Sequence, residues 1–196
     1  MSVRRHSKVK IVAMPKRLIR SKIMKLFTLA LICLNPLSAL ILDTIPSALE
    51  KVFGTEVKIE RKTLFLTENQ LKAAGELTST PVKQSALLTV YIVRNKSKII
   101  GYAYIDAHVV RTMQETVMIV VDTSAQVKRI MVLSFNEPHE YLPSDRWLAQ
   151  YSGKPLSPAL SLKGDIQMLT GATLSARAID QSTRRILAIH KVVFQK

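Results

Sequence analysis

The stretch "ALLTVYIVRNKSKIIGYAYIDA" (residues 86–107) decides the fold. β-Branched and aromatic side chains fill two runs, 86–94 and 98–107, with Asn95-Lys96-Ser97 between them. Such residues favour the pleated, half-buried surface of a strand, and a short polar break between two such runs predicts a hairpin. A second follows: "ETVMIVVD" (115–122), a turn at "TSAQ" (123–126), and "VKRIMVLSF" (127–135). Two hairpins in series predict a mainly antiparallel sheet.

The flanks supply helices. "TIPSALEKVF" (44–53) reads as a short helix, and "VKIERKTLFL" (57–66) alternates as a strand. Thr67, with Gln70 three residues on, forms a capping box that opens a helix over "ENQLKAAGEL" (68–77). Ser144 caps a short helix over "DRWLAQYSG" (145–153). From Leu174 onward, Ala178, Ile179, Ile186, Leu187, His190 and Val193 recur at helical spacing, with Arg177, Asp180, Arg184 and Arg185 between them. That predicts a long amphipathic C-terminal helix with one core face. The class is α+β, a mainly antiparallel sheet with packed helices, and no internal repeat or low-complexity tract interrupts it.

The chain has 196 residues and a formal net charge of +15, a length suited to one domain and a leader. Residues 1–25 hold nine Lys/Arg and no Asp/Glu, leaving 20 basic against 14 acidic residues in the remainder. The excess belongs to the leader, so no nucleic-acid partner is predicted from it.

Behind the basic block runs "LFTLALICLNPLSALIL" (26–42), 17 residues without a charge, closed by Asp43. A basic flank before such a run has the form of an export signal or short membrane anchor, with everything after it translocated. Asn35-Pro36 breaks a straight membrane helix. Ala39 is the best small residue for cleavage, but Leu37 sits where another small one is preferred, so cleaved signal and uncleaved anchor both stay open. Met1 and Met24 also both stand as starts, since "MKLFTLALICL" (24–34) makes the more ordinary signal. Cys33, the only cysteine, lies inside the run, which leaves the rest of the chain no thiol for a disulfide or metal site. The expected divisions are a leader (1–42), a helical and strand extension (43–79) and a main domain (80–196), periplasmic or otherwise extracytoplasmic.

"MLTGATLSARAI" (168–179) crowds two threonines, a glycine and small residues at the mouth of the long helix. A helix N-terminus offers unpaired N–H groups and about half a positive charge, a ready seat for a phosphate. Gly171 and Ala172 leave room for a bulky group, and Thr173 presents a hydroxyl. An ordinary threonine N-cap accounts for the same residues.

Within it, "LTGATLSARAI" (169–179) resembles the flavinylation motif of the FMN-binding domain family: an acid, two variable residues, Ser or Thr, then Gly-Ala-Thr. The covalent-flavin subunits of the sodium-translocating NADH:quinone reductase and of the Rnf electron-transport complex belong to that family. The resemblance implies FMN esterified through its phosphate to Thr173. Thr170, Gly171 and Ala172 are then the recognition context, with Leu174 and Ser175 beside it. It implies as partners a flavin transferase that installs the group from FAD with Mg²⁺, and a redox protein, membrane-bound or haem-containing.

Upstream, "AHVVRTMQETVMIVVD" (107–122) and "VKRIMVLSFNEPHEYLP" (127–143) resemble the small exported members. "NEPHEYLP" (136–143) stands where the larger subunits carry a Glu-Thr-Pro-Gly turn against the flavin. By that likeness Glu137 joins the expected cofactor contacts, as does His108, with Arg111 near it. The resemblance spans about residues 80–190 and makes 80–196 an FMN-binding domain. One departure stands out: six residues before Thr173, where the family has an aspartate, this chain has Gln167.

The remaining residues draw plainer readings. His108, His139 and His190 lack metal-ligand spacing, and no metal site is expected. Tyr141 and Trp147 read as core, His190 as a partly buried helix residue, and Arg184-Arg185 as a solvated helix face. No Ser-His-Asp arrangement follows from spacing. Without a Cys-x-x-Cys-His motif any haem belongs to another chain, and without a glycine fingerprint direct NADH oxidation is not expected. Two functions compete: an extracytoplasmic electron-transfer flavoprotein carrying FMN on Thr173, rather than a stand-alone enzyme, and a non-redox binding or assembly module of the same fold that has lost flavin. Gln167 is the main support for the second.

Overall fold

The computed structural model describes residues 40–79 and 87–195. The basic leader and its apolar run up to Ala39 lie outside the described residues, and with them the expected signal or anchor. Leu40 and Ile41, the tail of that run, form β1 (Leu40–Ile41) and pair with the sheet.

Six strands form one antiparallel sheet. β2 (Lys58–Phe65), β3 (Leu87–Asn95), β4 (Lys98–Val110), β5 (Met113–Val121) and β6 (Val127–Phe135) join β1 in the order β1-β6-β5-β4-β3-β2. Both expected hairpins are present: β3 turns into β4 through Lys96, φ 53°, and β5 into β6 through Ala125, φ 59°. Between them β4 and β5 meet at Arg111, also left-handed at φ 53°. Left-handed backbone is uncommon outside glycine and marks tight turns.

Helices cover both faces. Thr44 caps α1 (Ile45–Phe53), and the predicted capping box opens α2 (Glu68–Thr78), with both of its bonds made between Thr67 and Gln70. α1 lies on one face, where Ala48 and Leu49 meet Val93, Ala103, Met118 and Val120. The other face carries Val90, Tyr104, Ile119 and Val121 against Ile179, Ile186 and Leu187 of α4 (Thr173–Phe194). Covered on both sides, Val117–Val121 of β5 is one continuous buried run rather than an alternating one. Each such buried aliphatic side chain contributes about 1.5–3 kcal/mol. Ser144 caps α3 (Asp145–Leu148), which continues as a 3₁₀ turn to Tyr151. Residues 43–79 belong to the same compact unit as the rest of the domain, with β2 as an edge of its sheet. Among the described residues no helix is long and apolar enough to cross a membrane.

The long helix departs from the expected single core face. Asp180 is buried and Arg184 and Arg185 are half-buried, not solvated. The reason is cover on more than one side: the Arg184 guanidinium donates to the carbonyls of Ser157 and Leu160 in the loop before α4, and to that of Thr78 at the end of α2 (3.3 Å). Arg185 pairs with Asp106 on the sheet.

Candidate functional site

The loop leading into α4 is held at its backbone. Trp147 Nε1 on α3 donates to the Gln167 carbonyl at 2.8 Å, and the Gln167 N–H donates to Gln150 Oε1 at 2.9 Å. Gln167's side chain remains in solvent. The chain then passes exposed Thr170 and reaches Gly171 at φ 85°, a conformation that favours glycine, with open space where a Cβ would stand.

α4 starts at Thr173. Its N-cap is Ala172, which supplies no side-chain acceptor, so Thr173 is the first helical residue and not the threonine cap that its sequence also allowed. Its half-buried hydroxyl makes no hydrogen bond among the described residues. The first-turn N–H groups of a 22-residue helix therefore lack a side-chain partner.

Beside this helix start lies a shallow surface cleft that encloses no space for even a water molecule, where Arg111, Glu137 and Tyr141 meet Ala172, Leu174 and Ser175. The β4–β5 turn brings Arg111, whose guanidinium sits 4.6 Å over the Tyr141 ring. The segment after β6 brings Glu137, whose Oε1 is buried without a hydrogen-bond partner, as is Asn136 Oδ1. Of the expected contacts, Glu137, Ala172, Leu174 and Ser175 share this cleft, and Thr170, Gly171 and Thr173 border it in sequence. His108 does not line it. His139 is exposed on the 3₁₀ turn His139–Tyr141.

His108 lies instead in a buried charged cluster. Its Nδ1 is 3.0 Å from Asp106 Oδ2 and its Nε2 is 3.2 Å from Glu115 Oε2. Ser182 Oγ donates to Asp106 Oδ2 at 2.6 Å and stands 3.3 Å from His108 Nδ1, while Arg185 binds the other Asp106 oxygen. Burial opposes the imidazolium, but the bonds and charges of Asp106 and Glu115 outweigh it and raise His108 to about 9. Burial also raises Asp106, and His108, Arg185 and Ser182 outweigh it to hold its pKa low. The connectivity Ser182–His108–Glu115 has the outline of a nucleophile, base and orienter. It cannot work as one: a histidine protonated at neutral pH is no base, and Ser182 is 2% exposed.

His190 shows the opposite state. Burial among Tyr102, Tyr104 and Phe194 drives it down to about 4, so it is neutral at pH 7, and its Nδ1 is hydrogen-bonded to the Tyr104 hydroxyl at 2.7 Å. Tyr151 O–H donates to Asp180 at 3.1 Å, and burial raises both groups. Among the described residues no three His, Cys, Asp or Glu side chains are placed to hold a metal ion.

The charged cluster was missed in the sequence. Its signal was there in part: Asp106 and His108 sit two apart in an apolar strand, hence on one face, and Ser182 and Arg185 sit three apart on a helix. Which strand face meets which helix face is tertiary information. No protein-family model and no curated protein matches the chain.

Proposed function

We propose that this domain is an extracytoplasmic flavoprotein that carries FMN as a phosphoester on Thr173 and passes electrons to a redox partner protein. The observation that carries the reading is the start of α4: a free threonine hydroxyl on the first turn of a long helix whose cap offers no side chain, inside the frame Thr170-Gly171-Ala172-Thr173. A phosphate there would take up the orphan N–H groups and the positive end of the helix dipole. Arg111, on the rim of the same cleft, supplies a cation.

Attachment balances simply. Thr173 Oγ loses its proton and bonds to the flavin-side phosphorus of FAD, the pyrophosphate bond breaks, and AMP leaves; no oxidant is needed. The bound group supplies hydride and single-electron chemistry, and the protein supplies position and electrostatics. The cleft is too shallow to enclose a ligand of that size, so most of the group would stay exposed to a partner protein. Glu137 lines the same cleft and would offer the group a hydrogen-bond acceptor.

Gln167 favours the second reading, a module of this fold that has lost its flavin. Its side chain is exposed while its backbone is held, so an aspartate fits there without rearrangement. The test is to co-express the chain with a flavin transferase and look for flavin fluorescence of its band in a denaturing gel. A fluorescent wild type supports the proposal. A dark wild type beside a fluorescent Gln167→Asp variant supports the second reading.

A further inference from the structure

The edge of β6 points to a second site, and we infer that it docks a short, extended, acidic segment of a partner protein as an added strand. β1 pairs with β6 only at Phe135 and Ser134, and Leu133 O accepts from Leu42 and Asp43. At the other end Val127 is bonded to Gly153 and Lys154, and Lys128 O accepts from Ser152 Oγ. Between these closures Arg129–Val132 has no neighbouring strand on its outer side among the described residues.

Two adjoining cavities, of about 410 and 240 Å³, follow that gap and share Arg129, Asp145 and Leu148. Together they touch all five residues from Lys128 to Val132. Successive strand residues point to opposite faces, and each cavity touches residues of both faces (Lys128, Arg129 and Ile130; Arg129, Met131 and Val132), so each opens onto the edge rather than over one face. An open edge of this kind takes up an extended peptide through main-chain hydrogen bonds. At about 3.4 Å per residue the gap accepts four or five residues, and closure at both ends stops a longer strand from spreading.

Charge selects the occupant. Lys128, Arg129 and Arg146 line the larger cavity against a single acid, Asp145. Neither Arg129 nor Arg146 has an ion-pair partner among the described residues, and Lys128 is spent only on the Phe53 ring, 4.7 Å away. An acidic segment satisfies both arginines; a basic one meets three cations. α3 stands between this groove and the loop before α4: Arg146 and Leu148 line the groove, while neighbouring Trp147 holds the Gln167 carbonyl. A partner seated on β6 therefore touches α3, the helix that also holds the backbone of that loop. The inference does not depend on flavin, and a chain free of FMN tests it equally.

The purified full chain would be titrated with a short synthetic peptide alternating glutamate and valine, and amide NMR shifts followed on β6. The expected result is saturable binding with shifts at Arg129–Val132, weakened at least about tenfold by Arg129→Glu with Arg146→Glu and weakened by raising salt. A peptide N-methylated at alternate amides, and one alternating lysine and valine, should both fail to bind. Both arginines are exposed, so folding should survive; Arg129→Gln with Arg146→Gln provides a milder pair. Absence of binding, indifference to both pairs, or equal binding of the N-methylated peptide would overturn the inference. Equally tight binding of heparin or of anionic vesicles would overturn the assignment to a protein partner.

Discussion

The two ends of α4 follow opposite rules. In its first turn Thr173's hydroxyl bonds nothing, the cap supplies no acceptor, and Leu174 is 42% exposed. From Asp180 onward the polar side chains that face the protein are tied down. Asp180 is held by Tyr151, Ser182 and Arg185 by Asp106, and Thr183 by its own helix. Arg184 is held by three carbonyls, and His190 by Tyr104. Buried polar groups need partners because leaving one unmet costs about 1–3 kcal/mol. The same helix leaves its start unmet where solvent, or a phosphate, can reach it. The contrast separates a part of the helix that holds the fold from a part that is available for chemistry.

The sharpest way to break this contrast is at the tied end. Asp106→Ala strips His108, Ser182 and Arg185 of their common acceptor and leaves Glu115 as the one acid of the cluster beside the buried imidazolium. That should cost about 3–5 kcal/mol in urea denaturation, and a loss under about 1 kcal/mol would show that the cluster does not hold α4 to the sheet.

The second effect is set by pH. His108 is raised to about 9 from 6.5, so its stabilisation is complete below pH 6.5 and fades as pH rises through 9. His190 is depressed to about 4, so the unfolded chain takes up that proton first and stability falls as pH drops from 6.5 towards 4. Stability should therefore peak near pH 6.5, with each limb on the order of 3 kcal/mol. His108→Gln should flatten the alkaline limb and His190→Leu the acid one. Stability that climbs steadily from pH 6.5 to 9 would contradict the charged state of His108.

Tyr104→Phe comes next. It removes the hydroxyl that satisfies His190 and should cost about 1–3 kcal/mol by thermal or urea unfolding. It should also raise the NMR-detected pKa of His190 if water enters to replace the hydroxyl.

Much of the fold was legible because local signals agreed. The Thr67–Gln70 capping box, the Ser144 cap and the two hairpins around Lys96 and Ala125 are encoded within a few residues each. The burial of Asp180, Arg184 and Arg185 was not legible: periodicity places them off the main stripe, and only the docking of α2 and of the loop before α4 covers them. The site divided in the same way. Arg111, Glu137 and Thr173 come from three separate segments, and the fold brings the first two to the mouth of the helix that Thr173 begins. His108, in contrast, is drawn inward by Asp106 and Glu115, two acids whose importance depends on which strand faces α4.

The smallest stability effect belongs to the open end. Because Ala172 is the cap, Thr173→Ala should change stability by less than about 0.5 kcal/mol, below the usual cost of losing a threonine cap. That near-silence makes Thr173→Ala a clean chemical probe. The measurement is the mass of the tryptic peptide from Gly164 to Arg177, taken from protein co-expressed with a flavin transferase. Wild type should carry an FMN-sized addition located on Thr173, Thr170→Ala should keep at least part of it, and Thr173→Ala should remain folded and lose all of it. An unmodified wild-type peptide, or an addition that persists in Thr173→Ala or sits on Ser175, would contradict the account.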